Sequence, residues 1–392
     1  MTKMSRSILA LAMMAAMAGP ASADVIKVGV IGTFSGPYAL FGKNFKMGID
    51  AWVAQNGNKV GGHSVEFVYK DEEGPNPAKS KALAQELIVK DKVQYLAGIY
   101  FTPNAMAVAP LLEESKTPLI VMNAATSSIV EKSPYIVRTS FTMWQNTVPA
   151  AKTAIKNGAK KAAIAVSDYG PGIDAEAAFK KTFEADGGAV VEAIRIPLNT
   201  TDFSPIMQKI QAAGADTIFC FLPSGPPTIG FFKAYVDNGL KAAGVKLMST
   251  GDIVTEIDLP SIGDSSLGVL STYHYAVSHQ SPENKSFLEA MTKAGAGPDE
   301  VAMTGVAAYD AARVIYKMIE ATNGQRDPAK AVDSVKGMNW VSPRGSVSID
   351  PETRHIRQNV YLREVAKVDG KLVNKETGVV FSDQPDWALS KR

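Results

Sequence analysis

The chain has 392 residues, with 41 Lys and Arg against 39 Asp and Glu. This balance of charge argues against a nucleic-acid partner and against a polybasic membrane-binding surface, because both require a strongly basic face. A chain of this length is too long for one ordinary hydrophobic core, so we expect two domains.

The first residues have the pattern of a secretory signal peptide. Lys3 and Arg6 place positive charge ahead of an apolar stretch, Ile8–Ala18, which is shorter than the roughly 18 residues that span a bilayer. Ala21–Ala23 follows with the small-x-small pattern of a cleavage site. We therefore predict that residues 1–23 are removed and that the mature chain resides in the periplasm.

The next part of the chain alternates β-branched runs with helical patterns. Strands are predicted at Val25–Ile31, Val65–Tyr69, Val93–Ile99 and Leu119–Met122. Helices are predicted at Phe41–Ala54, Pro77–Lys90 and Pro103–Glu114. Parallel sheets with right-handed crossovers are built from this alternation of strand and helix.

The same alternation restarts after Arg138. Helices are predicted at Trp144–Lys156, Ile173–Glu184, Pro205–Ala213 and Thr228–Asn238. Strands are predicted at Ala162–Val166, Val190–Arg195, Thr217–Phe221 and Lys246–Ser249. Two such runs in succession indicate two similar α/β lobes rather than one larger sheet.

The remaining segments do not predict a third lobe. An extended stretch at Leu267–Tyr275, a long helix at Val301–Ile319 and short strands at Val347–Ile349 and Val360–Leu362 most simply return to complete the two lobes. We therefore predict two doubly wound α/β lobes joined by a multi-crossover hinge. The N-terminal lobe is expected to contain residues 24–142 and 273–346, and the C-terminal lobe residues 143–272 and 347–392. A hinge of this kind closes two lobes around a ligand.

Motifs of catalysis and of phosphate binding are missing from the sequence. The segment Gly36–Asn44 resembles a P-loop, but five residues separate Gly36 from Gly42 where the motif has four, and Asn44 replaces the Ser or Thr that holds magnesium. No nucleophile elbow or dinucleotide fingerprint is present, and the histidines lack the spacing of metal ligands. We expect no enzyme activity, no cofactor and no bound metal.

Six loops that follow predicted strands share glycines, small residues and hydroxyls. Ligands of open α/β sheets bind at the carboxyl ends of strands, where such loops offer N–H groups to an anion. The loops are Gly32–Pro37, Tyr100–Asn104, Asn123–Ser128, Ser167–Gly172, Leu222–Pro226 and Thr250–Asp252.

In this context the sequence resembles the periplasmic solute-binding proteins of the branched-chain amino acid ABC importers, which have the type I periplasmic binding fold of the Leu/Ile/Val-binding proteins. The resemblance covers essentially the whole mature chain. It rests on the motifs Val25–Val30, Ile31–Pro37 with Gly42 after it, Ala107–Pro110, Pro118–Ile120 with Ala124–Thr126, and Asp168–Gly172.

The resemblance implies a set of ligand contacts. A ligand carboxylate would be held by Thr102 and Asn104 in one loop and by Ala124, Ala125 and Thr126 in another. Neutral donors at helix starts bind an anion without burying a countercharge. The resemblance also implies that the protein delivers its ligand to a membrane permease driven by an ATPase. We expect a monomer.

In the second lobe the resemblance places Tyr169 over the ligand, and the Leu222–Pro226 loop offers Ser224. Asp252 occupies the apparent position of a Glu that pairs with a ligand ammonium, but it is one methylene shorter. An alternative interpretation of Asp252 is a helix N-cap. The Leu222–Pro226 loop lacks the aromatic residue that it often carries in the family.

Several aromatic residues are expected on or beside the cleft, and such walls suit a flat apolar ligand. They are Phe34, Tyr38, Phe41, Tyr100, Phe101, Trp144 and Tyr273. The predicted ligand is therefore a branched-chain or aromatic amino acid, or alternatively an aromatic carboxylic acid of the benzoate or cinnamate type. A ligand-sensing regulatory protein and an exported enzyme are the alternatives from other classes.

Overall fold

The structure is a computed structural model that describes residues 25–389, so the predicted signal peptide lies outside the described residues. Within that range the chain forms two β-sheets, one of six strands and one of nine. No helix between residues 25 and 389 combines the length and the apolar character needed to cross a bilayer.

The first sheet is built from the N-terminal part of the chain. Its strands are β1 (Val25–Gly32), β2 (Lys59–Val60), β3 (His63–Asp71), β4 (Tyr95–Gly98), β5 (Leu119–Val121) and β6 (Ile136–Arg138), in the spatial order β2-β3-β1-β4-β5-β6. The connecting helices are α1 (Ala39–Asn56), α2 (Pro77–Val89) and α3 (Thr102–Ser115). The pairs from β3 through β1, β4 and β5 to β6 are all parallel, as the alternating pattern predicts.

The second sheet continues the same winding. Its parallel strands are β7 (Lys161–Ser167), β8 (Ala189–Ile196), β9 (Thr217–Phe221), β10 (Lys246–Thr250) and β11 (Leu270–Tyr273). Helix α4 (Met143–Lys156) precedes β7, and the helices between the strands are α5 (Gly170–Ala185), α6 (Ser204–Ala212), α7 (Pro226–Asp237) and the short α8 (Leu259–Ile262).

After β11 the chain returns to the first lobe and then crosses back to the second sheet. Helices α9 (Pro282–Lys293) and α10 (Met303–Thr322) pack against α1, and α11 (Pro328–Asp333) follows. The last strands are β12 (Asn339–Ser342), β13 (Gly345–Ile349), β14 (Ile356–Val368) and β15 (Lys371–Gln384). They extend the second sheet in the order β12-β13-β14-β11, with β15 paired to β14. The predicted wound lobes and multi-crossover hinge are confirmed.

A hairpin near the predicted boundary between the lobes pairs with the second sheet. Strand β12 and the start of β13 fall within the 273–346 range that we assign to the N-terminal lobe. They nevertheless form an antiparallel hairpin that pairs with β14 in the second sheet. This pairing depends on distant residues, so it has no local sequence signal, and the residue ranges of the lobes remain a prediction.

Helix α10 lies directly on α1 because both helices have a glycine at the crossing. A β-carbon at Gly48 of α1 would lie 2.2 Å from the carbonyl oxygen of Gly305 in α10. Real β-carbons do not approach that closely, so any side chain at Gly48 would push the two helices apart. The crossing fixes the returning helix to the first lobe.

A buried ion pair joins helix α10 of the first lobe to a segment that passes between the lobes. The Arg344 guanidinium, at the β12–β13 turn, lies 2.7 Å from the Asp310 carboxylate of α10. It also donates to the carbonyl oxygens of Thr139 and Ser140, just after β6, at 2.5 and 3.2 Å. Both charged side chains are fully buried, and they hold three chain segments together.

We predict that Asp310→Asn lowers the free energy of unfolding by about 3–5 kcal/mol, because it leaves the buried Arg344 guanidinium without its counterion. Chemical denaturation followed by circular dichroism measures this loss. The matched control is Asp333→Asn, which breaks an exposed pair with Lys336 and should change the stability by less than about 1 kcal/mol. Equal effects of the two substitutions would contradict the assigned role of Asp310.

Candidate functional site

Two buried threonines of the first lobe meet at the carboxyl edge of its sheet. Thr102 is the first residue of α3, directly after β4 and its loop, and Thr126 follows β5. The Thr126 hydroxyl donates to the Thr102 hydroxyl oxygen at 3.2 Å. The two side chains are only 4% and 6% exposed, so their remaining hydrogen-bonding capacity faces an enclosed space.

The second lobe brings the start of α5 against these threonines. A β-carbon at Gly170, the first residue of α5, would lie 2.5 Å from the Thr126 hydroxyl oxygen and 3.1 Å from a Thr102 methyl group. Only glycine permits this approach, and the lobes are therefore closed. The N-termini of α3 and α5 converge on the two hydroxyls, and helix N-termini attract anions.

The alanines of the predicted carboxylate site are buried beside Thr126. The Ala124 N–H donates to the carbonyl oxygen of Ile99 at 3.2 Å, and the Ala125 carbonyl accepts from the N–H of Met143 at 3.1 Å. The Ala124 amide is thus already used within the protein. Of this loop, the Thr126 hydroxyl is the group best placed to meet a ligand.

Three aromatic residues of the first lobe form one cluster. The Tyr38 ring lies edge-on to Phe101 with the ring centres 5.0 Å apart, and the Tyr100 ring packs against both of them. A β-carbon on Gly225, in the second lobe, would lie 3.2 Å from the Tyr38 ring. The Ser224 side chain of the second lobe lies close to the Tyr100 hydroxyl. The cluster therefore connects the two lobes.

The aromatic residue predicted for the second lobe packs on a partner that we did not predict. The ring of Tyr169, the N-cap of α5, stacks on Phe221 with the ring centres 6.1 Å apart. Phe221 is the last residue of β9, so it stands immediately before the Leu222–Pro226 loop. The sequence signal that could have identified Phe221 is its position at the end of a strand. Phe221 supplies the aromatic surface that the loop itself lacks.

Asp252 is buried, and both of its carboxylate oxygens have protein partners. Its Oδ2 accepts from the Thr250 hydroxyl at 2.7 Å, and its Oδ1 accepts from the Tyr273 hydroxyl at 3.1 Å. Burial raises the Asp252 pKa to about 6, although the Thr250 and Tyr273 hydrogen bonds and the positive charge of Arg363 oppose that rise. The Ser224 hydroxyl donates to the Asp252 carbonyl oxygen at 2.8 Å.

A second buried carboxylate lies near this group. Asp258 accepts from the Thr255 hydroxyl at 2.8 Å and from the Gly225 N–H at 2.9 Å. Burial raises its pKa to about 6, and its negative charge helps to raise the pKa values of Tyr38 and Tyr100. The sequence analysis did not identify Asp258, whose only local signal is the Thr-x-x-Asp spacing of a turn.

The structure places three predicted contact residues in other surroundings. Phe34 packs edge-on against Tyr69 at 5.7 Å. The Asn104 side-chain amide donates to the buried carboxylate of Glu72 at 2.7 Å. It therefore orients the loop from the side away from the cleft. Trp144 lines a surface groove, where the ammonium of Lys181 lies 5.9 Å from its ring centre. Residue type suggested these contacts, but it does not specify side-chain direction.

Metal chemistry finds no support here. In residues 25–389, no group of three or more His, Cys, Asp or Glu side chains is arranged to hold a metal ion. The site instead combines neutral hydroxyls, helix N-termini, aromatic rings and carboxylates that are already hydrogen-bonded. This arrangement is suited to holding and enclosing a ligand.

Asp252 should make the stability of the protein depend on pH. Its pKa is about 6 in the folded chain and near 3.8 when it is exposed, so the folded chain retains this proton over that interval. The stability that it contributes is therefore present below about pH 4 and is lost as the pH rises through about 6. We predict that wild type loses roughly 2 kcal/mol relative to Asp252→Asn between about pH 4.5 and about pH 7.5. If the unfolding temperatures of wild type and Asp252→Asn change with pH in the same way, this prediction is refuted.

Comparison with known proteins identifies the family. A family model described as periplasmic binding protein matches residues 25–371. The chain is 63% identical over 384 residues to the Leu/Ile/Val-binding protein homolog 6 of Brucella melitensis, and the match covers 98% of each chain.

Two solved structures are also similar along their whole length. One is a solute-binding protein of an ABC transporter from R. palustris in complex with 4-hydroxybenzoate, with 76% identity, a TM-score of 0.93, and coverage of 94% of this chain and 100% of that one. The other is a solute-binding protein from Rhodopseudomonas palustris BisB5 in complex with 3,4-dihydroxybenzoic acid, with 42% identity, a TM-score of 0.88 and the same coverage. The chain belongs to the periplasmic binding protein family, as a solute-binding protein of the branched-chain amino acid ABC transporter type.

Proposed function

We propose that this solute-binding protein captures an aromatic carboxylate, such as a hydroxylated benzoate, between its two lobes and performs no chemistry on it. The observation that carries the proposal is the pairing of Thr102 and Thr126 with the start of α5 at Gly170, beside a cluster of aromatic rings. The hydroxyls and helix N-termini suit a carboxylate, and the rings suit a flat apolar body.

The charges of the cleft support one orientation of the ligand. Asp252 and Asp258 both belong to the second lobe, and a ligand carboxylate next to either would meet like charge. The threonines of the first lobe carry no charge, and the Arg138 guanidinium beside Thr126 acts on the nearby carboxylates of Asp174 and Asp386. The carboxylate of the ligand would therefore lie at Thr102 and Thr126, and its ring would face the tyrosines.

The state of Asp252 favours an aromatic acid over an amino acid. An amino acid brings an ammonium group that needs a carboxylate partner once it leaves water. Both oxygens of Asp252 already accept hydroxyl hydrogen bonds, and the positive charge of Arg363 acts on the same carboxylate. The R. palustris relative at 76% identity was solved with 4-hydroxybenzoate, which has no ammonium. A branched-chain or aromatic amino acid is the second candidate, since the Brucella relative is named as a Leu/Ile/Val-binding protein homolog.

The cellular context follows from the family. We infer that residues 1–23 direct export to the periplasm and that the mature protein acts there as a monomer. Its partners would be the permease and the ATPase of an ABC importer, which receive the loaded, closed form. The lobes would follow the predicted ranges, 24–142 with 273–346 and 143–272 with 347–392, except that residues 339–346 pair into the second sheet.

Titration calorimetry with a matched ligand panel tests the proposal. We expect 4-hydroxybenzoate and benzoate to bind, and leucine and phenylalanine to bind at least about 100-fold more weakly, because a buried ammonium without a partner costs several kcal/mol. Turnover of the bound acid, followed by chromatography, should be undetectable. Tight binding of leucine with no response to benzoates would reverse the assignment.

We predict that Thr102→Val combined with Thr126→Val weakens binding of the aromatic acid by at least two orders of magnitude. Each hydrogen bond to a charged group contributes about 1.5–3 kcal/mol, and valine keeps the side-chain shape. Thr292→Val, on the exposed face of α9, is the control and should leave affinity unchanged. Equal affinities of the double variant and the control would remove the threonines from the site.

Asp252→Asn separates the two ligand classes. If the ligand is an aromatic acid, the substitution should leave affinity unchanged or raise it, because it removes a negative charge from a cleft that binds an anion. If the ligand is an amino acid, binding should weaken by about 3–5 kcal/mol, the cost of breaking a buried pair from one side. Calorimetry of wild type and variant with the same ligand decides between these outcomes.

A further inference from the structure

The peptide group between Thr126 and Ser127 is held from both sides by charged side chains. Its carbonyl oxygen, on Thr126, accepts from the Arg138 guanidinium at 2.7 Å. Its N–H, on Ser127, donates to the Asp174 carboxylate at 2.9 Å. One peptide group thus lies between a positive and a negative side chain, and hydrogen bonds to charged groups are the stronger kind.

The two charges come from different lobes. Arg138 is fully buried and is the last residue of β6, in the first sheet. Asp174 lies on α5 of the second lobe, four residues after Gly170, which itself faces Thr126. The Ser127–Asp174 hydrogen bond therefore crosses between the lobes, immediately beside the proposed ligand contact.

The remaining neighbours hold these charges in place. The indole of Trp144 lies close to Asp174 and favours its charged form, so this tryptophan acts beside the cleft rather than in it. Asp386, near the end of the described chain, accepts from the Ser127 and Thr142 hydroxyls at 3.1 and 3.3 Å. Asp386, like Asp174, also adds negative charge near the Arg138 guanidinium.

We propose that Asp174 is a positioning residue that couples ligand binding to lobe closure, by fixing the Thr126–Ser127 peptide from the opposite lobe. The proposal rests on the proposed function, because it takes Thr126 as a ligand contact. When the lobes are open, Asp174 lies away from Ser127 and the peptide is held only by Arg138. Closure adds the second hydrogen bond, which fixes the Thr126 hydroxyl against the ligand and slows its release.

The test compares Asp174→Ala with Glu176→Ala, a control on the same helix that breaks the pair with Arg195 at the surface. We expect Asp174→Ala to weaken binding of 4-hydroxybenzoate by about 10-fold or more, mainly through faster dissociation in stopped-flow tryptophan fluorescence. Asp174→Asn, which keeps one acceptor oxygen, should fall between wild type and Asp174→Ala. Glu176→Ala should match wild type.

A merely structural role predicts a different result. If Asp174 positions the peptide across the cleft, the unliganded Asp174→Ala protein should unfold at nearly the same temperature as wild type. At saturating ligand, X-ray scattering should show a larger fraction of open molecules for Asp174→Ala than for wild type. A lower unfolding temperature without ligand, together with unchanged dissociation, would overturn the proposal. Wild type that binds neither 4-hydroxybenzoate nor leucine would overturn the proposed function as well, whereas normal ligand binding by Asp174→Ala would overturn the positioning role alone.

Discussion

The Arg344 guanidinium contacts Thr139 and Ser140, where the chain leaves the first sheet, and Asp310 of α10 in the first lobe. Burying both charges is costly, and the cost is offset only when every partner is in place. This requirement holds the crossing segments in one arrangement while leaving the lobes on either side as separate bodies. The relative motion of the lobes, and therefore the opening and closing of the cleft, depends on this fixed junction.

The contents of the cleft follow from how the two lobes meet. Each lobe brings the carboxyl edge of a parallel sheet to the junction, so helix starts from both sides face the same space. The first lobe contributes the hydroxyls of Thr102 and Thr126, which are neutral. The second contributes Asp252 and Asp258, whose partners are hydroxyl and N–H groups of the protein. A molecule with an acid group at one end and a neutral ring at the other matches both walls.

The sequence predicted the wound lobes well, because each parallel strand and its helix carry a local apolar pattern. It did not predict β15, whose mostly exposed side chains pair only with β14, so the segment lacks an alternating apolar face. Helix α9 was overlooked although the Ser281 cap and the buried Phe287 and Met291 offered a usable signal. Within the site, the strand-end loops and the family resemblance together pointed to Thr102 and Thr126, which the structure brings into contact. The directions of Phe34 and Trp144 depend on packing with distant residues.

The glycine that opens α5 has a further consequence for selectivity. No atom larger than hydrogen fits between the α-carbon of Gly170 and the Thr126 hydroxyl, so the closed lobes have no spare space at this point. A planar carboxylate can lie beside such a contact, but a bulkier tetrahedral acid, such as a sulfonate, would act as a wedge. Under the proposed function, a protein wedged open would hold its ligand without presenting the closed shape to a permease. Discrimination at this position would then operate on shape during transfer, after the ligand has already bound.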